Sequence, residues 1–231
     1  MDIVEHVRQA GGADARTIEL AEQIVVFGDP VLRVTARRVD RFDEYTIALA
    51  QHMASVLLGA GGVGLAAPQV GHASRMITYR LGETAEHPVA ILINPTWESL
   101  NAGQQPAYEG CLSLPGMKLP VLRERVIRVS GQDLTGNAVQ FDAEDLEARV
   151  IQHECDHLDG VLIFDRVMPQ LRYEALLAWN RAAPNTYTDT PTLAVNPSSV
   201  TASAPASAPA VQMLQREALE RAAAALERGE I

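Results

Sequence analysis

The spacing of hydrophobic residues along the chain predicts three helices before residue 183. Apolar side chains recur at helical spacing in residues 44–58, and a second such pattern covers residues 168–182. Between them, a long helix is expected to begin after Asp142 as its cap, with Asp145 in its first turn. Its sequence includes QHECDH at residues 152–157.

Residues 75–79, 89–95 and 125–129 are rich in isoleucine and valine and predict β-strands. The turn-forming residues 133–137 follow the last of these, and residues 139–141 then resume an apolar pattern. This arrangement is typical of a β-hairpin.

The composition changes after residue 182. Residues 183–211 consist largely of proline, serine, threonine and alanine, which predicts an extended or disordered linker. Residues 212–231 return to an amphipathic helical pattern in which arginines and glutamates are mixed. We therefore expect a catalytic domain at residues 1–182, a linker at 183–211 and a separate helix at 212–231.

The chain has 231 residues, is 47% hydrophobic and has a formal net charge of −10, which fits one substantial core and argues against a nucleic-acid surface. The first ten residues have no apolar stretch of the kind that a secretory signal needs. No apolar run approaches the roughly 20 residues of a membrane span. A cytoplasmic location is the expectation.

The most informative segment is QHECDH at residues 152–157. Residues four apart lie on one face of a helix, so His153 and His157 can bind one metal ion together. Glu154 lies one position round the helix, where it can reach a metal-bound water as the glutamate of HExxH hydrolases does.

A catalytic site of this kind needs a third protein ligand. The histidine of the HExxHxxGxxH pattern is replaced by Ile163, which excludes that protease class. Glu174 is a candidate third ligand, as in a thermolysin-like endopeptidase, although its surroundings resemble the solvated face of an ordinary helix. Cys111, in the loop sequence EGCLS, is the other candidate.

The second cysteine, Cys155, is two residues from each histidine and therefore points away from the metal face. We expect it to be a small buried side chain. A disulfide between Cys155 and Cys111 is disfavoured in a cytosolic protein.

Residues 62–69, GVGLAAPQ, superficially match a dinucleotide-binding pattern. That pattern requires a strand before it and a helix after it, whereas here a helical pattern precedes it and Pro68 interrupts any following helix. The segment is better interpreted as a flexible loop of close backbone approach that leads to the amide of Gln69.

Taken together, residues 62–69, 109–113 and 152–160 resemble the three motifs of the peptide deformylase family, in the same order. The resemblance extends from about residue 28 to residue 164. It implies removal of the formyl group from the initiator methionine of nascent chains. It also implies an α+β fold in which antiparallel sheets surround a central metal-binding helix, with C-terminal helices.

The resemblance assigns one divalent ion to Cys111, His153 and His157. Iron(II) is the physiological metal of the family, and zinc, nickel or cobalt also suit one thiolate and two imidazoles.

The same resemblance assigns the proton transfers to Glu154 as general base and acid. It assigns the stabilisation of the negative charge that develops on the formyl oxygen to the Gln69 side chain and the backbone N–H of Leu112.

The predicted pocket for the methionine side chain is apolar, with walls from Val63, Gly64, Leu112, Leu146 and Val150. Ordinary core packing is an equally good interpretation of Leu146. Arg149 lies on nearly the same helix face, and we expect it either to extend its charge to the pocket rim or to make the pocket more polar.

Three function classes follow: a metal-dependent deformylase, a zinc endopeptidase that uses Glu174, and a deformylase-like module without turnover. For the first, the expected partners are N-formylmethionyl nascent peptides, with transient proximity to the ribosome and no direct contact with nucleic acid or membrane. The helix at 212–231 can pack on its own core, on a second subunit or on another protein.

Overall fold

A computed structural model of the chain describes residues 24–81 and 89–182. The expected linker and terminal helix, at 183–231, lie outside the described residues, as do residues 1–23 of the expected catalytic domain. Within the described part, no helix is long and apolar enough to cross a membrane.

Seven strands and three α-helices form the described part of the chain, which confirms the α+β class. The strands are β1 (Gly64–Ala66), β2 (Met76–Tyr79), β3 (Ala90–Ser99), β4 (Gln104–Cys111), β5 (Leu114–Glu124), β6 (Val126–Gln132) and β7 (Ala138–Glu144). The helices are α1 (Glu44–Gly59), α2 (Asp145–Leu158) and α3 (Pro169–Ala182).

The strands are divided between two antiparallel sheets. Five of them form a sheet in the order β1-β2-β3-β6-β7, and β4 pairs only with β5 in a long hairpin. The predicted turn at 133–137 joins β6 to β7, as expected. The hairpin β4–β5 was not predicted from the sequence, although it carries Cys111.

Alternation of side chains along β2 places the two main helices on opposite faces of the five-stranded sheet. Ile77 packs in a first core with residues of α2, whereas its neighbour Met76 packs in a second core with residues of α1. A third core joins the hairpin β4–β5 to α3 and to the short 3-10 helix Ile163–Arg166. Helix α2 is therefore enclosed, and all of its residues from Ala148 to Leu158 are buried.

The predicted cap of α2 is wrong. The helix begins at Asp145, and the residue before it is Glu144. Asp142 still belongs to β7, where its carboxylate pairs with Arg128 across the sheet at 2.8 and 3.0 Å. The strand thus continues to Glu144, three residues further than the sequence pattern indicated.

Gly160 ends the turn after α2 in a conformation that favours glycine, with φ of +71°. A side chain there would also place a Cβ atom 2.7 Å from the carbonyl oxygen of Arg33. The backbone around residue 33 therefore packs directly against the end of α2.

Candidate metal centre

Helix α2 and strand β4 bring the three predicted metal ligands together. The ligand atoms of Cys111, His153 and His157 all lie within 4.8 Å of one another, and Cys111 Sγ is 3.2 Å from His157 Nε2. The two imidazole rings are 5.1 Å apart at an angle of 69°, as expected for residues one helical turn apart. One thiolate and two imidazoles in such a cluster suit a first-row divalent ion.

The alternative ligand Glu174 is not near this cluster. It is exposed on α3, and the groups of potential ligands among residues 24–81 and 89–182 do not include it. Cys155 is buried in the first core, as predicted, and burial raises the pKa of its thiol to about 12. Cys111 is thus the thiol that faces the histidines.

His153 is oriented by the carboxylate of Glu109, for which no sequence pattern indicated a role. Its Nδ1 lies 2.9 Å from Glu109 Oε2. Burial raises the pKa of Glu109, but hydrogen bonds from Arg123 and His153 outweigh this effect and hold the pKa far below its usual range. Because an ionised carboxylate accepts the Nδ1 proton, the Nε2 atom of His153 is left for a metal ion.

The pKa values of the two histidines are shifted in opposite directions. Burial lowers the pKa of His153, but its interactions with Cys111 and Glu109 outweigh burial and raise the pKa well above its usual value. Burial and the neighbouring His153 lower the pKa of His157. A bound cation opposes protonation of both rings, since imidazole ligates in its neutral form.

Glu154 lies against β1, and this contact explains why residue 64 is a glycine. A Cβ atom at Gly64 would be 2.3 Å from Glu154 Oε1 and 2.9 Å from Val150 Cγ1. Burial raises the pKa of Glu154 to about 7, and the charge of the nearby His153 partly opposes this increase. Among the residues that the structure describes, Glu154 Oε2 and His157 Nδ1 are buried without a hydrogen-bond partner.

Gln69 is fixed by contacts on both sides of its amide. Its Oε1 accepts a hydrogen bond from Ala66 N–H at 2.8 Å, and its Nε2 lies 3.3 Å from Ser113 Oγ and 3.6 Å from Cys111 Sγ. The segment that carries it is not the flexible loop that we predicted, because residues 64–66 form β1 and Ala67–Val70 a 3-10 helix. The predicted close approach is confirmed at Gly64.

Backbone hydrogen bonds from the segment before α1 join the 3-10 helix that carries Gln69 to the turn after Cys111. Val25 N–H donates to the carbonyl of Gln69 at 2.9 Å, and Phe27 N–H donates to that of Ser113 at 2.8 Å. Phe27 in turn contacts Trp179 of α3, with ring centroids 6.0 Å apart. No pattern in the sequence indicated this connection, because it depends on main-chain atoms.

The residues predicted to form the substrate pocket differ in how much of each is exposed. Val150 is buried beside Gly64, whereas Val63 and Leu146 are about half exposed, at 52% and 53%. Core packing is therefore wrong for Leu146. Arg149 is 6% exposed, so the expectation that its charge reaches a pocket rim is also wrong.

The guanidinium of Arg149 belongs to a buried ionic network behind the predicted metal ligands. Glu109 accepts hydrogen bonds from Arg123 at 2.9 Å on both oxygens and from Arg149 at 2.7 Å. Arg123 also donates to Asp156 at 2.6 Å, and Asp156 accepts further hydrogen bonds from Arg166. The sequence offered no periodic signal for these pairs, since each joins residues of two different elements.

The chain resembles known proteins over this same region. The family model described as polypeptide deformylase matches residues 21–173. A peptide deformylase of Dictyoglomus thermophilum is 42% identical over 151 residues, which are 65% of this chain and 95% of that protein. Peptide deformylase 1 of Corynebacterium glutamicum is 44% identical over 154 residues, covering 67% and 91% of the two chains.

Solved structures give the same result. The peptide deformylase of Thermotoga maritima superposes with a TM-score of 0.60 at 41% identity, over 64% of this chain and 97% of that one. The peptide deformylase of Synechococcus elongatus in complex with actinonin superposes with a TM-score of 0.64 at 42% identity, over 67% and 85%.

Proposed function

Because the chain belongs to the peptide deformylase family, we propose that its activity depends on one divalent metal ion held by Cys111, His153 and His157. Members of this family are metal-dependent hydrolases that remove the N-formyl group from nascent polypeptides. The observation that supports the proposal is the convergence of one sulfur and two imidazoles within 4.8 Å beside a buried glutamate. When bound, the ion supplies Lewis-acid chemistry that polarises a carbonyl and makes water a stronger nucleophile.

Glu154 is the proposed proton carrier. Its Oε2 atom has no hydrogen-bond partner among the described residues and is free to accept a proton from the water that attacks the formyl carbon. As the C–N bond breaks, the same oxygen returns that proton to the nitrogen of methionine. The products are formate and a free amino terminus.

Gln69 and the backbone N–H of Leu112 are the proposed donors to the formyl oxygen as negative charge develops on it. Because Ala66 N–H holds the Gln69 carbonyl oxygen, the Nε2 donor faces the side of the site where Cys111 lies. Leu112 follows Cys111 directly in the turn between β4 and β5. Both donors are thereby fixed before substrate binds.

We assign the methionine side chain to the apolar surface between β1 and the first turns of α2. Gly64 and Val150 form its buried part, and the exposed side chains of Val63 and Leu146 form its outer walls. An unbranched apolar chain fits such a surface without requiring a hydrogen-bond partner.

Iron(II) is the proposed physiological ion, with zinc, nickel or cobalt as alternatives, since the three donors suit several first-row metals. We place the enzyme in the cytoplasm, where formylated chains leave the ribosome. Its net charge of −10 does not favour a direct contact with ribosomal RNA.

The test of this function is formate release from formyl-Met-Ala-Ser. We expect activity from protein purified and assayed without oxygen after loading with iron(II), zinc, nickel or cobalt. Activity should disappear with a chelator and return when metal is restored. Cleavage of an internal peptide bond without formate release would instead identify an endopeptidase.

Residues 185–231 are proposed to act in association rather than in catalysis. All the residues of the metal centre precede residue 185, and Trp179, which contacts Phe27, is also retained when this segment is deleted. A chain ending at Pro184 should therefore keep kcat/KM for formyl-Met-Ala-Ser nearly unchanged.

Light scattering and sedimentation with ribosomes should reveal the role of the tail. Loss of self-association or of ribosome binding in the shortened chain is the expected result. A large fall in kcat/KM with unchanged metal content would show that the tail contributes to the active site.

A further inference from the structure

The buried guanidinium of Arg149 connects helix α2 to both strands of the hairpin that carries Cys111. Its Nη1 donates to the Val121 carbonyl on β5 at 2.9 Å, and its Nη2 donates to the Gln105 carbonyl on β4 at 2.6 Å. The same Nη1 also donates to Glu109 Oε1 at 2.7 Å. One side chain of the helix thus contacts three acceptors on the hairpin.

The two ends of this connection are close to metal ligands. Arg149 lies one helical turn before His153 on α2, and Glu109 lies two residues before Cys111 on β4. Glu109 also accepts from His153 through its other oxygen, at 2.9 Å. Because Cys111 lies on the hairpin and both histidines lie on α2, the distance between the sulfur and the imidazoles depends on how closely the hairpin packs against α2.

We propose that Arg149 is a positioning residue that sets this distance and thereby the affinity for the metal ion. The inference rests on the proposed metal site and adds a residue that contacts neither the ion nor the substrate. Other side chains hold part of the same interface, since Arg123 of the hairpin pairs with Asp156 of α2 at 2.6 Å and Gln152 of α2 bonds the backbone of Glu124 at 2.9 and 3.0 Å. Arg149 is distinct because its acceptors include carbonyls of both hairpin strands.

Burial makes each of these contacts costly to lose. A buried guanidinium is tolerated only when its donors are satisfied, and Arg149 is 6% exposed. An apolar side chain at 149 would leave two strand carbonyls with one partner fewer, and the hairpin would shift toward other donors. Glu109 would keep its two hydrogen bonds from Arg123. The orientation of His153 would therefore change less than the position of Cys111.

The experiment compares Arg149→Met and Arg149→Lys with Arg128→Met as a matched control. Arg128 forms an ion pair on the exposed side of β6 and β7, outside the metal centre. Each protein is loaded with cobalt(II), and the thiolate charge-transfer and ligand-field absorption bands are recorded. A chromophoric chelator then measures the dissociation constant of the metal, and formate release gives kcat and KM.

We expect Arg149→Met to weaken cobalt binding by roughly 10–100-fold, the usual cost of losing a group that orients a ligand. Its thiolate charge-transfer band should shift or weaken. Arg149→Lys, which keeps the charge but not the fork of donors, should lie between Arg149→Met and the parent protein. Arg128→Met should match the parent protein in affinity and spectrum.

An unchanged affinity and spectrum for Arg149→Met, with only a raised KM, would overturn the proposal and place Arg149 in the substrate pocket. If Arg149→Met does not fold, as judged by circular dichroism of the metal-free protein, Arg149→Lys decides by the same criterion. A parent protein without the thiolate band would overturn the metal site itself, so the two failures are distinguishable.

Discussion

Replacement of Glu154 by glutamine is expected to lower kcat/KM for formyl-Met-Ala-Ser by roughly 10²–10⁴-fold, the usual contribution of a general acid–base group. Glutamine keeps the shape of the side chain and its contact with Gly64, but it has no carboxylate to take the proton of the attacking water. Metal content and fold should be unchanged, because Glu154 is not among the three grouped ligands. Formate release and metal analysis on the same preparation measure both quantities.

Glu174→Gln is the matched control for this substitution. Glu174 is exposed on α3 and outside the metal centre, so its replacement should leave activity within about twofold. A loss of less than tenfold for Glu154→Gln would assign proton transfer to another group. A large loss for Glu174→Gln would restore the endopeptidase alternative.

Cys111→Ser is expected to remove most of the bound metal and nearly all of the activity. The hydroxyl of serine is not deprotonated as a thiol is, so one of the three ligands is lost while the volume of the side chain hardly changes. Metal affinity should fall by more than the roughly 10–100-fold that the loss of a group orienting a ligand costs. Chelator competition and metal analysis after desalting measure the change.

Cys155→Ser provides the control for sulfur loss in general. Cys155 is buried in the first core on the side of α2 away from the ligands, and a serine hydroxyl in a helix can bond to the preceding turn. This variant should keep its metal and show at most a moderate loss of stability. Full metal content and activity in Cys111→Ser would exclude residue 111 as a ligand.

The local pattern of apolar residues was sufficient to predict several elements of the fold. Helix α1 was predicted at residues 44–58 and is found at Glu44–Gly59, because its apolar spacing follows the helical repeat. The strands β2 and β6 were also predicted, since both contain β-branched residues that favour strands.

The hairpin β4–β5 escaped prediction because its sequence contains residues that disfavour strands. Pro106, Pro115 and Pro120 lack the N–H group of a regular ladder, and Gly110 and Gly116 suggest a loop. The two strands nevertheless pair from Gln104 with Glu124 to Cys111 with Leu114, because each has a free edge that tolerates proline.

At the site, too, the sequence indicated residues on one element but not the contacts between elements. His153, Glu154 and His157 could be identified from their spacing on one helix, and Cys111 from its motif. The role of Arg149 could not, since its position on the helix face says nothing about what covers that face. Only the fold shows that hairpin carbonyls and Glu109 surround its guanidinium.

If Cys111, His153 and His157 hold an ion as proposed, the division of these ligands between helix α2 and hairpin β4–β5 makes the stability of the fold depend on the supply of metal. The helix packs in the first core and the hairpin in the third, so an ion that binds both joins two parts of the interior. By mass action, an ion that binds only the native state adds about 2.7 kcal/mol to the free energy of unfolding when its free concentration is one hundred times the dissociation constant. Metal starvation would therefore remove folded protein as well as activity.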